Sequence, residues 1–226
     1  MKKIFVFFAA MAVLFSASCQ KSPVSNKESG YLSFSEFNLE VDETVLTKAD
    51  PAGDNYSIVI YDAEGTQVAA MTYAQVSDNN DMITLPAGSY TLVARSLAGE
   101  VPAASWENPI YGTTKEFTIR AGETTALGEL VCTLVQCKVT VSYSDDFLAS
   151  VTGEGKTSVE VTAGYPLDYQ LSANGTYDQS AGFFAVNGNT MKVEFKGIIN
   201  GKTAKMTKTF IGIAPKQWRQ VRFVQK

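Results

Sequence analysis

Histidine is absent from all 226 residues. That removes the Ser-His-Asp triad, the Cys-His nucleophile pair and every imidazole metal site. Carboxylate, Lys or Tyr chemistry and oxygen-ligated cations are what remain. Charge is also scarce, at 19% of the chain, and it leans acidic, with 19 Lys and Arg against 23 Asp and Glu. No basic stripe is available to neutralise phosphates, so no nucleic-acid partner is expected. At the N-terminus the apolar run Ile4–Phe15 has only 12 residues, too few to cross a bilayer as a helix. Cysteine occurs three times, at Cys19, Cys132 and Cys137. Hydrophobic content of 45% is that of a globular protein and excludes a disordered one.

What the N-terminus does contain is a basic start, Met1-Lys-Lys, before that short apolar core, and then Ser16-Ala17-Ser18-Cys19. A charged start, an apolar core and small residues at the cut form an export signal. The small residues ahead of Cys19 resemble a bacterial lipobox, which implies cleavage before Cys19 and lipidation of its thiol and amine. Several acyl chains give lasting membrane attachment where one would not. Removing residues 1–18 leaves 17 basic and 23 acidic side chains. Residues 19–29 are polar and serve as a tether.

The rest of the chain is written in strands. Gly30–Val41 alternates apolar and polar positions and predicts one strand, followed by a loop over Thr47–Asn55. Tyr56–Tyr61 is a strand, turned by Ala63-Glu64-Gly65 towards Gln67–Met71, and Thr72–Val76 has the look of a short helix. Met82–Ala94 predicts a hairpin about Pro86-Ala87-Gly88, where Pro fixes φ and Gly supplies a conformation other residues resist. Leu97–Gly112 carries Gly99, Pro102 and Pro109 and is expected to be a long loop. Lys115–Ile119 is a strand, and Leu127–Tyr143 is the longest extended run, apolar on both faces. Thr157–Thr162, Leu167–Leu171, a hairpin over Phe183–Phe195, Lys205–Ile211 and Trp218–Val224 complete the series. Strands spaced about 8–12 residues apart with turn chemistry between them argue for β-sandwiches. The fold class is therefore all-β. Two transthyretin-like or immunoglobulin-like sandwiches in tandem are expected, over residues 30–142 and 143–226.

Few residues invite chemistry. Ser150–Thr157 falls one residue short of a phosphate-binding loop and precedes a strand, not a helix, so a hairpin loop is expected. Asp78–Asp81 is an oxygen-rich loop without EF-hand spacing, read as a solvated turn in preference to a cation site. Cys132 and Cys137 lie five apart in one extended run, too far for a disulfide, and are read as small core residues. Asp145-Asp146 suits a helix N-cap better than a glycosidase pair. Trp106, with Tyr111 nearby, is either a sugar-stacking platform or a plug over the open end of the first sandwich. No catalytic residue, metal site or cofactor is expected, and the chain is not expected to be an enzyme.

Several of these stretches together resemble one family. They are the lipobox Cys19, the Tyr31–Phe34 opening, Leu85–Tyr90, Ala104–Pro109 with Tyr111-Gly112, and Leu130–Leu134 before Lys138–Val141. The family is the uncharacterised domain-of-unknown-function family 4493 of Bacteroidota lipoproteins, related to the fimbrillins. The resemblance implies an outer-membrane lipoprotein, at the cell surface in preference to the periplasmic face, acting as subunit or anchor of a pilus-like adhesive assembly. In fimbrillins a protease removes the N-terminal strand and a strand from the next subunit fills its place, which is β-augmentation. The matching strand here is Gly30–Val41. No Arg precedes Arg95, so an Arg-specific cut is excluded, and Lys48-Ala49 is the basic candidate for processing. The partners implied are the membrane, through the lipid, and other fimbrillin-like subunits by strand exchange. An uncut chain would instead be an anchor, or a stand-alone lipoprotein binding a ligand such as a glycan through the Trp106 loop.

Overall fold

A computed structural model describes residues 28–33, 39–41, 55–77 and 82–225. The expected signal peptide, Cys19, Lys48, Ala49 and the Asp78–Asp81 loop lie outside these residues.

In chain order the first half comprises β1 (Ser29–Ser33), β2 (Leu39–Val41), β3 (Ser57–Asp62), β4 (Gln67–Thr72), α1 (Tyr73–Ser77), β5 (Met82–Pro86), β6 (Gly88–Arg95), β7 (Ala104–Trp106), β8 (Tyr111–Ile119), β9 (Thr124–Ala126) and β10 (Leu130–Leu134). The second half comprises β11 (Gln136–Tyr143), α2 (Asp145–Ser150), β12 (Gly155–Glu160), β13 (Leu167–Leu171), β14 (Gly182–Ala185), β15 (Thr190–Ile199), β16 (Lys202–Ile211) and β17 (Trp218–Phe223). Among the described residues the chain is all-β but for two short helices.

Four sheets form two layered pairs. A six-stranded sheet, β2-β10-β8-β6-β3-β4, packs on a three-stranded one, β5-β1-β9, and a four-stranded sheet, β17-β11-β14-β7, packs on another, β13-β12-β15-β16. The first core gathers Leu32, Ile58, Ile60, Leu85, Leu92 and Ile119. The second gathers Val139, Val159, Tyr169, Leu171, Phe184 and Phe195. Each set comes from alternate positions of its strands, because one face of a strand turns inward and the other outward.

Local chemistry explains the turns that the sequence predicts correctly. Asp62 Oδ1 accepts from the N–H of Glu64 and Thr66, closing the β3–β4 hairpin. Asn200 and Gly201 both have positive φ, 49° and 73°, as a two-residue hairpin between β15 and β16 requires. Thr72 and Gln75 exchange side-chain and backbone hydrogen bonds in a capping box that starts α1.

Pairing departs from the sequence reading in five places. Gly30–Val41 is not one strand: β1 and β2 join different sheets. The Met82–Ala94 stretch is not a hairpin, since β5 pairs with β1 and β6 with β3 and β8. Pro86 and Ala87 turn a corner between layers there. Likewise β14 and β15 belong to opposite layers, so the chain over Phe183–Phe195 crosses the sandwich. The expected loop over Leu97–Gly112 contains β7, which pairs with β14. The long run Leu127–Tyr143 breaks at Val135, whose N–H is taken by the Ile110 carbonyl at 2.9 Å. The core changes at that break, with Leu134 in the first and Cys137 in the second, whereas the sequence pattern places the division at 142/143.

The two cores are not independent. On β14, Phe183 packs into the first and Phe184 into the second.

Candidate interaction surfaces

The strand on which the family resemblance turns is central, not peripheral. β1 runs antiparallel to β5 and parallel to β9, with Leu32 opposite both Ile83 and Thr125. Its ends are pinned by backbone bonds: Tyr31 N–H to Glu123, Gly122 N–H to Ser29, and Ala87 N–H to Glu28. Leu32 is fully buried, and Tyr31 points out with 43% exposure. A Cβ on Gly30 would collide with the Arg120 carbonyl and stand 2.8 Å from Ile119 Cγ2. The seat therefore takes a residue no larger than Gly, then one of any size, then a large apolar side chain. An empty seat would leave β5 and β9 with unpaired backbone groups and the Leu32 socket open. That is the physical requirement for accepting a donated strand.

The aromatic platform does not assemble. Tyr111 is only 3% exposed and belongs to the first core. Trp106 is 36% exposed and sits on β7, its ring edge-on to Tyr169 with centroids 4.7 Å apart. Glu107 follows in a left-handed conformation, accepts from Ala181 N–H through Oε1 and donates its own N–H to the Ala181 carbonyl. Trp106 thus covers the second sandwich, not the open end of the first. No local pattern marks this, because a three-residue strand between two prolines carries too little alternation.

The remaining candidates resolve into structure. Lys156 and Thr157, from the stretch short of a phosphate loop, lie on β12. Lys156 pairs with Asp168 at 2.5 Å, and Thr157 Oγ1 hydrogen-bonds Tyr143 Oη at 2.7 Å. The cap of α2 is Ser144, not Asp145. Its hydroxyl accepts from Phe147 N–H, and the two aspartates sit in the first turn, where the helix dipole favours them. Cys132 and Cys137 are free and buried on separate strands. Burial pushes their thiols up to about 12 and about 11, so neither is a nucleophile at neutral pH. For Asp168, burial works upward, but the hydrogen bonds from Lys156 and Ser158 outweigh it and hold the carboxyl below its ordinary range. Among the described residues no three Cys, Asp or Glu side chains converge as a metal would need. Nor is any described helix long and apolar enough to cross a membrane.

One concavity was invisible in the sequence. A cleft of about 650 Å³ opens between the two halves, with Arg95, Glu100, Val135, Thr162 and Tyr165 among its walls. Tyr165 is among its exposed walls. These residues come from distant segments, so no local motif marks them. Glu100 is the one carboxylate among its lining residues.

Against this geometry, residues 28–226 match the family model described as "Domain of unknown function (DUF4493)", and the chain belongs to that family. Among curated proteins none matches the sequence. Of solved structures, a candidate adhesin from Bacteroides ovatus shares 11% identity over 87% of each chain, with a TM-score of 0.42. A second candidate adhesin, from Bacteroides thetaiotaomicron, shares 11% over 81% of each chain, with a TM-score of 0.39. The Bacillus anthracis TIE protein shares 15% over 88% of this chain but only 34% of its own, with a TM-score of 0.30. Overlaps this loose fit the chain onto no particular one of them.

Proposed function

We propose that this DUF4493 chain is a lipid-anchored outer-membrane protein of fimbrillin-like type, a subunit or anchor of a pilus-like adhesive assembly on the cell surface. The observation that carries the reading is the seat of β1. A short strand with one plugging side chain, Leu32, holds two neighbours together and closes the first core. It lies just beyond the tether, so a cut at Lys48-Ala49 would separate both β1 and β2 from the rest of the fold. Loss of β2 would also bare the edge of β10. The vacated seat would then accept an extended strand from the next subunit. Without the cut the chain keeps its strand and its lipid and serves as an anchor.

N-terminal sequencing of the protein from its own cell envelope tests this. A subunit starts near Ala49, and an anchor is blocked at a lipid-bearing Cys19. A free, unmodified N-terminus on a protein that leaves the membrane with salt would overturn the reading.

A further inference from the structure

Charge is divided between the halves of this chain. Residues 28–135 carry 16 acidic and 4 basic side chains, a net −12, while residues 136–226 carry 7 acidic and 11 basic, a net +4. The positive half also has an open flank. β16 and β17 are each the last strand of their sheets, and among the described residues neither has a partner on its outer side. Between them runs a groove of about 540 Å³ lined by Met206, Phe210, Val221 and Phe223, with Lys208 and Arg222 on its rim. Met206 is 38% and Ile211 78% exposed along this flank. Lys202, Lys208 and Arg222 make no ion pair with any described residue, whereas Lys205 is engaged by Glu194.

The negative half has a matching edge. β4 ends the six-stranded sheet, and its sequence, Gln67–Thr72, contains no charge. Val68 on it is 42% exposed. The turn leading into β4 carries Asp62 and Glu64, and Glu116 lines the same hollow as Asp62. An uncharged edge strand invites pairing, while lysines on an edge repel a like edge. Two β16 edges therefore reject each other, and so do two acidic turns. The arrangement that satisfies both is heterologous, with the β4 edge of one copy along the β16 edge of the next.

We propose that the β16–β17 flank docks the acidic half of a second copy, head to tail, by edge-to-edge pairing of β4 with β16. A heterologous contact does not close on itself, so it builds chains. It needs no proteolysis and leaves β1 in place, and it gives the assembly proposed above a second, reversible contact. An edge of six residues is small for a stable interface, and tethering to one membrane raises the effective concentration that a weak contact needs.

The test is sedimentation of the full chain in detergent across concentration, with charge-reversed variants. At low salt the apparent mass should climb beyond dimer. It should fall to monomer near about 1 M salt, where screening acts within about 3 Å. The variant K202E/K208E/R222E should be monomeric with its thermal midpoint retained, and so should E64K/E116K. Mixing the two variants should restore association, a result no folding defect can mimic. The proposal is overturned by wild-type monomer at all concentrations, by association that stops at dimer, or by association indifferent to both reversals. It is equally overturned if the triple variant loses binding to anionic vesicles while wild type stays monomeric. Strand-exchange products survive detergent denaturation until boiled, and this contact does not. The two can therefore fail separately.

Discussion

At the scale of single residues, Tyr169 shows how the second sandwich is locked. Its hydroxyl donates to the Val139 carbonyl at 2.8 Å and accepts from Gly182 N–H at 3.2 Å. One buried oxygen thus ties β13 to two strands of the opposite layer. Burial pushes its phenol well above the ordinary range, so it stays neutral and able to donate. Tyr169→Phe leaves a buried donor and acceptor unmatched and should cost about 1–3 kcal/mol, read from the denaturant midpoint. A loss within error would mean that water fills the gap. The two cysteines offer a second check. With thiols raised by burial, Cys132 and Cys137 should resist alkylation at neutral pH in the native state and react fully once unfolded. Rapid labelling of the folded protein would contradict their placement. The sequence made both legible as core residues, since a small apolar side chain between Val and Leu neighbours needs no further context. It did not reveal Tyr169, because its partners lie 30 and 13 positions away.

At the scale of elements, alternation announced nearly every strand but not its neighbours. The period of two says which residues share a face. It carries no information about which sheet receives them, so the period alone does not tell that β5 and β6, adjacent in sequence, pair with different strands. Turn chemistry decides that question only when the turn is specific, as at Asn200-Gly201. Pro86 and Ala87 are compatible with a hairpin and a corner alike. For β1 the expected effect of Leu32→Ala is a loss of about 2–5 kcal/mol, because a filled socket becomes a cavity. The loss should appear first as faster native-state hydrogen exchange at the β5 and β9 amides that pair with β1, below the global transition. Uniform loosening of the whole chain would count against β1 as a separable plug.

The charged face of β15 and β16 makes a pH prediction. Hydrogen bonds from Lys196 and Lys205 hold the Glu194 carboxyl down to about 2, against an ordinary 4.5. A folded pKa below the unfolded one means stability that is present above the unfolded value and lost as pH falls towards the folded one. Asp168 moves in the same direction. The thermal midpoint should therefore hold down to about pH 5 and then drop towards about pH 2. Glu194→Gln should shallow that drop without moving the neutral-pH plateau far, since the ion pair is partly exposed and worth little.

At the scale of the whole molecule, the halves are joined more closely than two tandem domains on a linker. β7 leaves the first half to pair with β14, and β14 supplies a side chain to each core. Unfolding either half exposes apolar surface belonging to the other. Scanning calorimetry should show a single transition, with calorimetric and van't Hoff enthalpies in a ratio close to one. Two resolved transitions would show that the strand-sharing contributes little. The sequence carried the class of the fold and the family, because each is written locally. The shared strand, the cleft and the open flank depend on which distant segments meet, and no local pattern records that.

In the function proposed above, the seat of β1 between β5 and β9 is one that another subunit's strand can take. The most direct measurement is an immunoblot of envelope protein run with and without boiling. A ladder of regularly spaced species is expected, surviving the detergent and collapsing to one band on boiling, with β1 missing from the laddered chains. A single band of full-length chain under both conditions, at every growth stage, would contradict it.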